Sequence, residues 1–572
     1  MSVVEPIYTN NNNNNNSRSM KLMIAGIGIG ILITITILGL VIATFVKVNN
    51  GSSNQSTSTP SLNSVLADSI RIDDVMNHLK ELQRIATANN ENRAVSTIGF
   101  NQTLDYITNT LAIETNYKVS KQFFSIRQFA LDGIPILISS INDVTKTYTY
   151  STDLSAADFY HIKFSTGANF SDFMLLTAIP NVGCSDDDWQ NANPPVAGRV
   201  VLVKRGICAF EDKGALAAKH DAAAILIYND GATPDRVSPI AIGLGQQNNL
   251  SALFLSSSVG QELANAAQNP SNNASVQLII QVKNFPLSPI GNICADTPTG
   301  DPTQTIVVGS HSDSVETGPG INDNGSGSAA NLGLALALAG LFQTSTHEKY
   351  KYRVRFCWWG AEEIGLLGAD YHVKQAKINT AVGERLDDYL VNLNYDMLGS
   401  PNYIFGIYDG RTANNNTPVH ALPGSNKVTA VYQDWFTKQK LPWTYTDFSG
   451  RSDYGPFLAE GIVAGGLFSG GDDVKSAKER NYYDEMLGQG MGGIAGAIHD
   501  PCYHQACDSI QNINVFAFEK MVQAAAYVLE YLARQDDLKG WLYPEGRSLG
   551  LKNRLSQRKY NSINEYFGMP YL

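Results

Sequence analysis

Between residues 305 and 396 one pattern repeats: a short apolar run, then a residue type that binds metals. Run 305–309 leads to His311 and Asp313, run 353–359 to Glu362 and Glu363, and run 390–394 to Asp396. Helical stretches separate the runs, an Ala/Leu-rich one over 326–342 and another over 363–376. Apolar strands alternating with helices predict an α/β fold, a mostly parallel sheet flanked by helices on both faces. Such sheets gather the carboxyl ends of their strands on one edge, where ligands bind. The alternation therefore fixes more than a fold class, because it brings His311, Glu362, Glu363 and Asp396 to a common edge. Asp323, in G-P-G-I-N-D-N-G-S-G ahead of the Ala/Leu helix, joins them. One strand-end Asp or His is ordinarily a cap, but several on one edge point to a site.

A further donor lies in H-D-P-C-Y-H-Q-A-C-D, where His499 or His504 completes the set. His504 is preferred, because a Cys502–Cys507 bridge would fix its loop. Nitrogen and oxygen donors without thiolate suit zinc or manganese. Three carboxylates and two histidines exceed one open tetrahedral site and suit two metals about 3.5–4 Å apart, bridged by a shared carboxylate. Two Zn²⁺ would be balanced by Asp323, Glu363, Asp396 and a bridging hydroxide, which leaves Glu362 free to act as general base. Asp313, two residues past His311, fits a partner that holds the imidazole tautomer. His372 has no such setting and reads as structural.

The two ends are different in kind. Residues 22–46 carry no charge and are long enough to cross a ~30 Å hydrocarbon core. They read as an uncleaved signal anchor between an Asn-rich cytoplasmic tail (1–21) and a Ser/Thr/Asn-rich stalk (47–67), giving a type II membrane protein whose bulk faces the outside or a lumen. Cleavage and secretion is the alternative. All six cysteines follow the anchor. Cys184 with Cys208 and Cys502 with Cys507 are the local pairings, among fifteen connectivities for six cysteines. Sequons at Asn54, Asn101, Asn169, Asn249, Asn273 and Asn415 agree with that side of the membrane. Segments 68–149 and 284–535 read as two parts of one domain, and 150–283 as a β-rich insert with runs at 199–204 and 223–228. The insert has no convergent histidines and carboxylates and is assigned no catalysis. A net charge of −11 argues against nucleic acid as a partner. Tail 536–572 is assigned no function; its G-R-S-L-G follows no strand and has no later histidine, so it reads poorly as a serine nucleophile turn.

H-S-D-S-V, the Asp323 motif, C-W-W-G-A-E-E-I-G-L-L-G, N-Y-D-M-L-G-S-P-N-Y, G-R-S-D-Y-G-P-F and D-P-C-Y-H-Q-A-C-D, in that order, resemble the co-catalytic zinc aminopeptidase family that includes aminopeptidase Y. G-R-V-V-L-V-K-R-G-I-C-A-F-E-D-K resembles the protease-associated domain inserted in that family. The resemblance implies a zinc exopeptidase fold and two Zn²⁺, with His311 and Asp396 on one, Glu363 and His504 on the other, and Asp323 bridging. It implies Glu362 as base, Tyr503 at the oxyanion, Arg451 and Phe468 at the pocket for the first residue, and peptides with a free N-terminus as substrates. A membrane-anchored carboxypeptidase or dipeptidase of the same group, and a non-catalytic receptor on that scaffold, are the competing readings.

Overall fold

The computed structural model describes residues 64–547, apart from 207, 209, 234–235, 286 and 414–416. The expected tail 1–21, anchor 22–46 and most of the stalk, Asn54, Asn415 and the residues beyond Arg547 lie outside the described residues. The central sheet has eight strands in the order Lys118–Ile126, Ser288–Asp296, Tyr352–Trp359, Asp301–His311, Tyr389–Tyr395, Val463–Phe468, Gly406–Asp409, Thr444–Asp447. The four middle strands are mutually parallel. Antiparallel strands flank them on both sides, so the sheet is mixed around a parallel centre. Tyr352–Trp359 and Tyr389–Tyr395 are buried along their whole length, as continuous apolar runs covered on both faces must be.

Adjacent tryptophans mark the two faces. Trp358 donates its indole N–H to Ser328 O at the start of helix Gly327–Gln343, whereas Trp359 packs on His372 of helix Leu367–Ile378 and on Phe457. Neighbouring strand residues point to opposite faces, so these helices cover opposite sides of the sheet. The Ile321–Gln343 segment is long and apolar enough to cross a membrane by composition, but most of it is buried as the core helix. His372 is also a core residue, its ring between Tyr389 Oη at 3.1 Å and Gln122 Oε1 at 3.1 Å.

Nine further strands form a second sheet, with Val200–Lys204, Ala224–Tyr228 and Ser251–Leu255 parallel at its centre. This sheet reaches back before residue 150: Ile136–Ile141, expected within 68–149, pairs with Ser275–Ile280. The two chain segments that leave and re-enter the central sheet are themselves paired, with Ile126 opposite Ser288. Residues of the tail, to which the sequence assigned no function, pack on the central sheet. Tyr543 Oη donates to Leu390 O at 2.8 Å and accepts from Val463 N at 2.9 Å, which docks the 536–547 segment on the central sheet. At the other end of the described chain, buried Glu530 accepts from Ser64 Oγ (2.8 Å) and Leu66 N (2.9 Å), so the last stalk residues are part of the packed body.

Cys184–Cys208 and Cys502–Cys507 are bonded as expected, and Cys294 is bonded to Cys357. Sequence left the last pair open; it follows from register, because Cys294 and Cys357 lie directly opposite each other on neighbouring strands. Asn101, Asn169, Asn249 and Asn273 are all exposed.

Candidate active site

Strand ends deliver four of the site residues. His311 closes Asp301–His311, Asp396 follows Tyr389–Tyr395, and Glu362 and Glu363 follow Tyr352–Trp359. The expected helix over 363–376 starts only at Leu367. Glu362 and Glu363 instead sit in a turn, because both Asp313 carboxylate oxygens accept from their main-chain amides, at 3.2 and 3.3 Å. Ala361 before them, Met397 after Asp396, and His504 all have positive φ (63°, 51° and 57°). Left-handed backbone is uncommon for side-chain-bearing residues and concentrates at functional sites, where the surroundings impose it.

His311 and His504 face each other across Asp323. Its Oδ1 lies 3.3 Å from His311 Nε2 and its Oδ2 3.2 Å from His504 Nε2. Asp396 Oδ1 is 3.4 Å from His311 Nε2, and Glu363 Oε2 is 3.2 Å from His504 Nε2. Two donor groups result, His311–Asp323–Asp396 and Asp323–Glu363–His504, sharing Asp323. Glu362 belongs to neither; its Oε2 is 3.9 Å from His311 Nε2. His499 joins neither group, and both its ring nitrogens are buried without a hydrogen-bond partner.

His311 Nδ1 faces the main-chain carbonyl of Asp313 at 3.2 Å, closer than the Asp313 carboxylate at 3.5 Å. His311 Nδ1 thus has both the Asp313 carbonyl and the carboxylate expected to orient it within reach, and the same carboxylate anchors the Glu362–Glu363 turn. Asp396 Oδ2 accepts from Ser452 Oγ at 2.6 Å, leaving Oδ1 directed at His311. Asp323 is oriented by Asp508, whose carboxylate accepts the amides of Asn322 (2.8 Å) and Asp323 (2.9 Å). Gly320, at φ +60°, starts this turn, and a Cβ there would lie 2.4 Å from Asp323 O.

Electrostatics follow from crowded carboxylates in a buried setting. Burial opposes charge on His311 and His504, but the carboxylates of Asp396 and Glu362 lift His311 well above its usual range, and those of Glu363 and Asp323 lift His504 to about 11. Burial, then Asp323, pushes Glu363 up to about 7. Burial and the Asp453 carboxylate hold Glu362 well above the ordinary range against the opposing pull of His311. Asp508 is pushed up to about 8 by burial and Asp500.

The donor set fits zinc. His311 Nε2, Asp396 Oδ1 and Glu363 Oε1 are buried without a hydrogen-bond partner, and they belong to the residues that converge on these two positions. Buried polar atoms are rarely left without partners, so their convergence is what a cation-binding site requires. The groups open into a cavity of about 650 Å³, with Tyr408 and Phe468 on an apolar wall and Arg451 and Tyr503 beside the carboxylates. Arg451 Nη2 donates to Tyr503 Oη at 3.3 Å, and the Tyr503 ring stacks on His504 at 3.9 Å.

Arg93, Asp508 and Ser452 support the site and were not singled out in the sequence. Asp508 closes the D-P-C-Y-H-Q-A-C-D motif, which is the one local signal available for it. Ser452 likewise lies within G-R-S-D-Y-G-P-F, whereas Arg93 carries no such signal.

Residues 292–529 match the model of peptidase family M28, and residues 173–263 match the PA domain. An aminopeptidase of Pseudomonas aeruginosa is 34% identical over 81% of either chain. A probable leucine aminopeptidase 2 of Aspergillus fumigatus is 32% identical over 83% of this chain and 86% of its own, and aminopeptidase Y of Saccharomyces cerevisiae 31% over 79% and 77%. Among solved structures, an aminopeptidase from Aneurinibacillus sp. strain AM-1 shares the fold, with a TM-score of 0.57 and 20% identity over 82% of this chain and 95% of that one.

Proposed function

The chain belongs to peptidase family M28 with an inserted PA domain and is a metalloexopeptidase, and from this premise we propose that it removes N-terminal residues from peptides using two zinc ions. The observation that carries the reading is Asp323, which offers one carboxylate oxygen to each half of the site. His311 and Asp396 would hold one ion, Glu363 and His504 the other. Bound zinc polarises a carbonyl oxygen and lowers the pKa of water to about 7. Glu362, outside both donor groups yet beside them, takes the proton of the attacking water and returns it to the leaving amine. Tyr503, polarised by Arg451, donates a hydrogen bond to the developing oxyanion and keeps its proton. The cavity carboxylates attract the free α-ammonium, and the Tyr408–Phe468 wall receives an apolar first side chain.

In this reading the insert over roughly 131–283 takes no part in the chemistry. Three disulfides support an extracellular or lumenal setting, and with them a type II anchor at 22–46 and glycans at the exposed sequons form the topological part of the proposal.

The test is hydrolysis of a leucyl peptide and its N-acetylated form by the purified full-length chain, with zinc measured on the same sample. Cleavage of the free-amine peptide alone, with two zinc ions per chain and loss on chelation, is expected. Two zinc ions with release of C-terminal residues would replace this reading by a carboxypeptidase; neither metal nor cleavage would leave the receptor.

A further inference from the structure

Arg93 lies between helices Ile72–Thr87 and Ile98–Glu114, and its side chain is fully buried. Burial lowers its pKa only to about 10, so it carries its charge at neutral pH. Nη1 donates to Ser312 O at 2.6 Å, Nη2 to Gly320 O at 2.6 Å and Nε to Pro319 O at 3.0 Å. The Arg93 main-chain amide donates to Ser314 Oγ at 2.9 Å. All four acceptors belong to 312–320, the loop that runs from His311 to the Asp323 turn.

That loop connects two of the expected ligands. One end is fixed by a strand and the other by Asp508; between them Ser314 Oγ reaches only as far as Gly318 O, at 3.1 Å, and among the described residues no bond within the loop joins Ser312 to Gly320 except through Arg93. The planar guanidinium grips both ends in one rigid fork, which a flexible ammonium does not reproduce. The acceptors are neutral carbonyls, so the positive charge is balanced by the surrounding carboxylates, among them Asp313, Asp508 and Asp323.

We propose that Arg93 is a positioning residue for the metal centre: its fork presets the separation of His311 and Asp323 and thereby sets zinc affinity. The proposal rests on the di-zinc reading of the site. It competes with two simpler roles, a contribution to folding alone and a purely electrostatic one. The electrostatic role has the opposite sign, since a cation near the site repels zinc.

The experiment uses the full-length chain, stripped of metal, as wild type, Arg93→Lys and Arg93→Met. Each is titrated with zinc against a chromophoric chelator, its cobalt(II) visible spectrum is recorded, and its metal-free melting temperature is measured. Outer partners of metal ligands typically contribute ~10–100-fold in affinity. Arg93→Met is expected to bind zinc weaker by that range with a changed cobalt spectrum, and Arg93→Lys to fall between it and wild type. Wild-type zinc affinity in folded Arg93→Met would overturn the proposal, as would tighter binding, which would assign Arg93 the electrostatic role. If Arg93→Met does not fold, Arg93→Lys decides, and wild-type affinity there is again refuting. Wild-type protein that binds no zinc would sink the site reading itself, a result separate from equal binding by all three.

Discussion

Replacing Glu362 by Gln isolates proton transfer from metal binding. The amide keeps the volume of the carboxylate and cannot take a proton. Both donor groups, His311–Asp323–Asp396 and Asp323–Glu363–His504, keep every ligand atom, because Glu362 stands 3.9 Å from His311 where the ligand contacts are 3.2 to 3.4 Å. A positioned general base contributes ~10²–10⁴-fold, or about 3–5 kcal/mol of barrier. Glu362→Gln should therefore lower kcat by that range, with KM changed little and two zinc ions retained. Asp323→Ala is the contrasting variant, since it removes the one residue common to both groups and should lose metal as well as activity. The assay is steady-state hydrolysis of a leucyl peptide with metal analysis of the same preparation. Activity within about threefold of wild type would refute the assignment of Glu362 as base, on the ~10²-fold minimum for that role. Loss of zinc from Glu362→Gln would refute its exclusion from the ligand set.

Tyr503→Phe removes one oxyanion donor and should lower kcat ~10²–10³-fold with zinc content unchanged; an unchanged kcat would remove Tyr503 from the mechanism. Burial holds His78 and His161 down at about 4 and His372 at about 3, against an unfolded value near 6.5. The unfolded chain then binds protons the folded chain refuses, so stability is full above about pH 6.5 and is lost as pH falls toward 4. The contribution of His78 is read as the difference in melting temperature between wild type and a His78→Gln variant from pH 7.5 to 4.5, in which the opposing contribution of the raised Glu363 and Asp508 carboxyls cancels; that difference should fall accordingly, and a flat difference would contradict the burial argument. A chain started at residue 68 loses Ser64 and Leu66 as partners of buried Glu530. It should be less stable by ~1–3 kcal/mol than one started at residue 60, read by urea denaturation; equal midpoints would show that this contact adds nothing.

The convergence of the strand-end donors was legible because period and residue identity coincide in short segments: an apolar run ends, and a His, Glu or Asp follows. Asp323 was legible from its glycine-rich surroundings, and His504 from the cysteines around it. Arg93 was not, since a buried guanidinium that bonds main-chain carbonyls 219 to 227 residues away leaves no local pattern. The start of helix Leu367–Ile378 was misplaced for a related reason: the Asp313 carboxylate captures two amides that a helix would have used, and that is a tertiary event. Strand Ile136–Ile141 lies in the segment 68–149 that the sequence assigned to the main domain, yet it joins the second sheet, because pairing with Ser275–Ile280 is not encoded in its own residues. The Cys294–Cys357 bond became evident only with the register of its two strands.

The pairing of Ile126 with Ser288 makes the insert, topologically, the loop of a β-hairpin. About 160 residues separate two positions that end side by side. Closing such a loop while it is unfolded costs ~4–5 kcal/mol of chain entropy on a (3/2)RT ln n scale. Once the nine-stranded sheet has formed, its own first and last strands are neighbours and most of that cost is already met, so the insert favours closure of the outer strands when it folds first. The same adjacency makes the insert separable in principle: a two-residue turn spans the gap it would leave, and the catalytic sheet keeps its strand order without it.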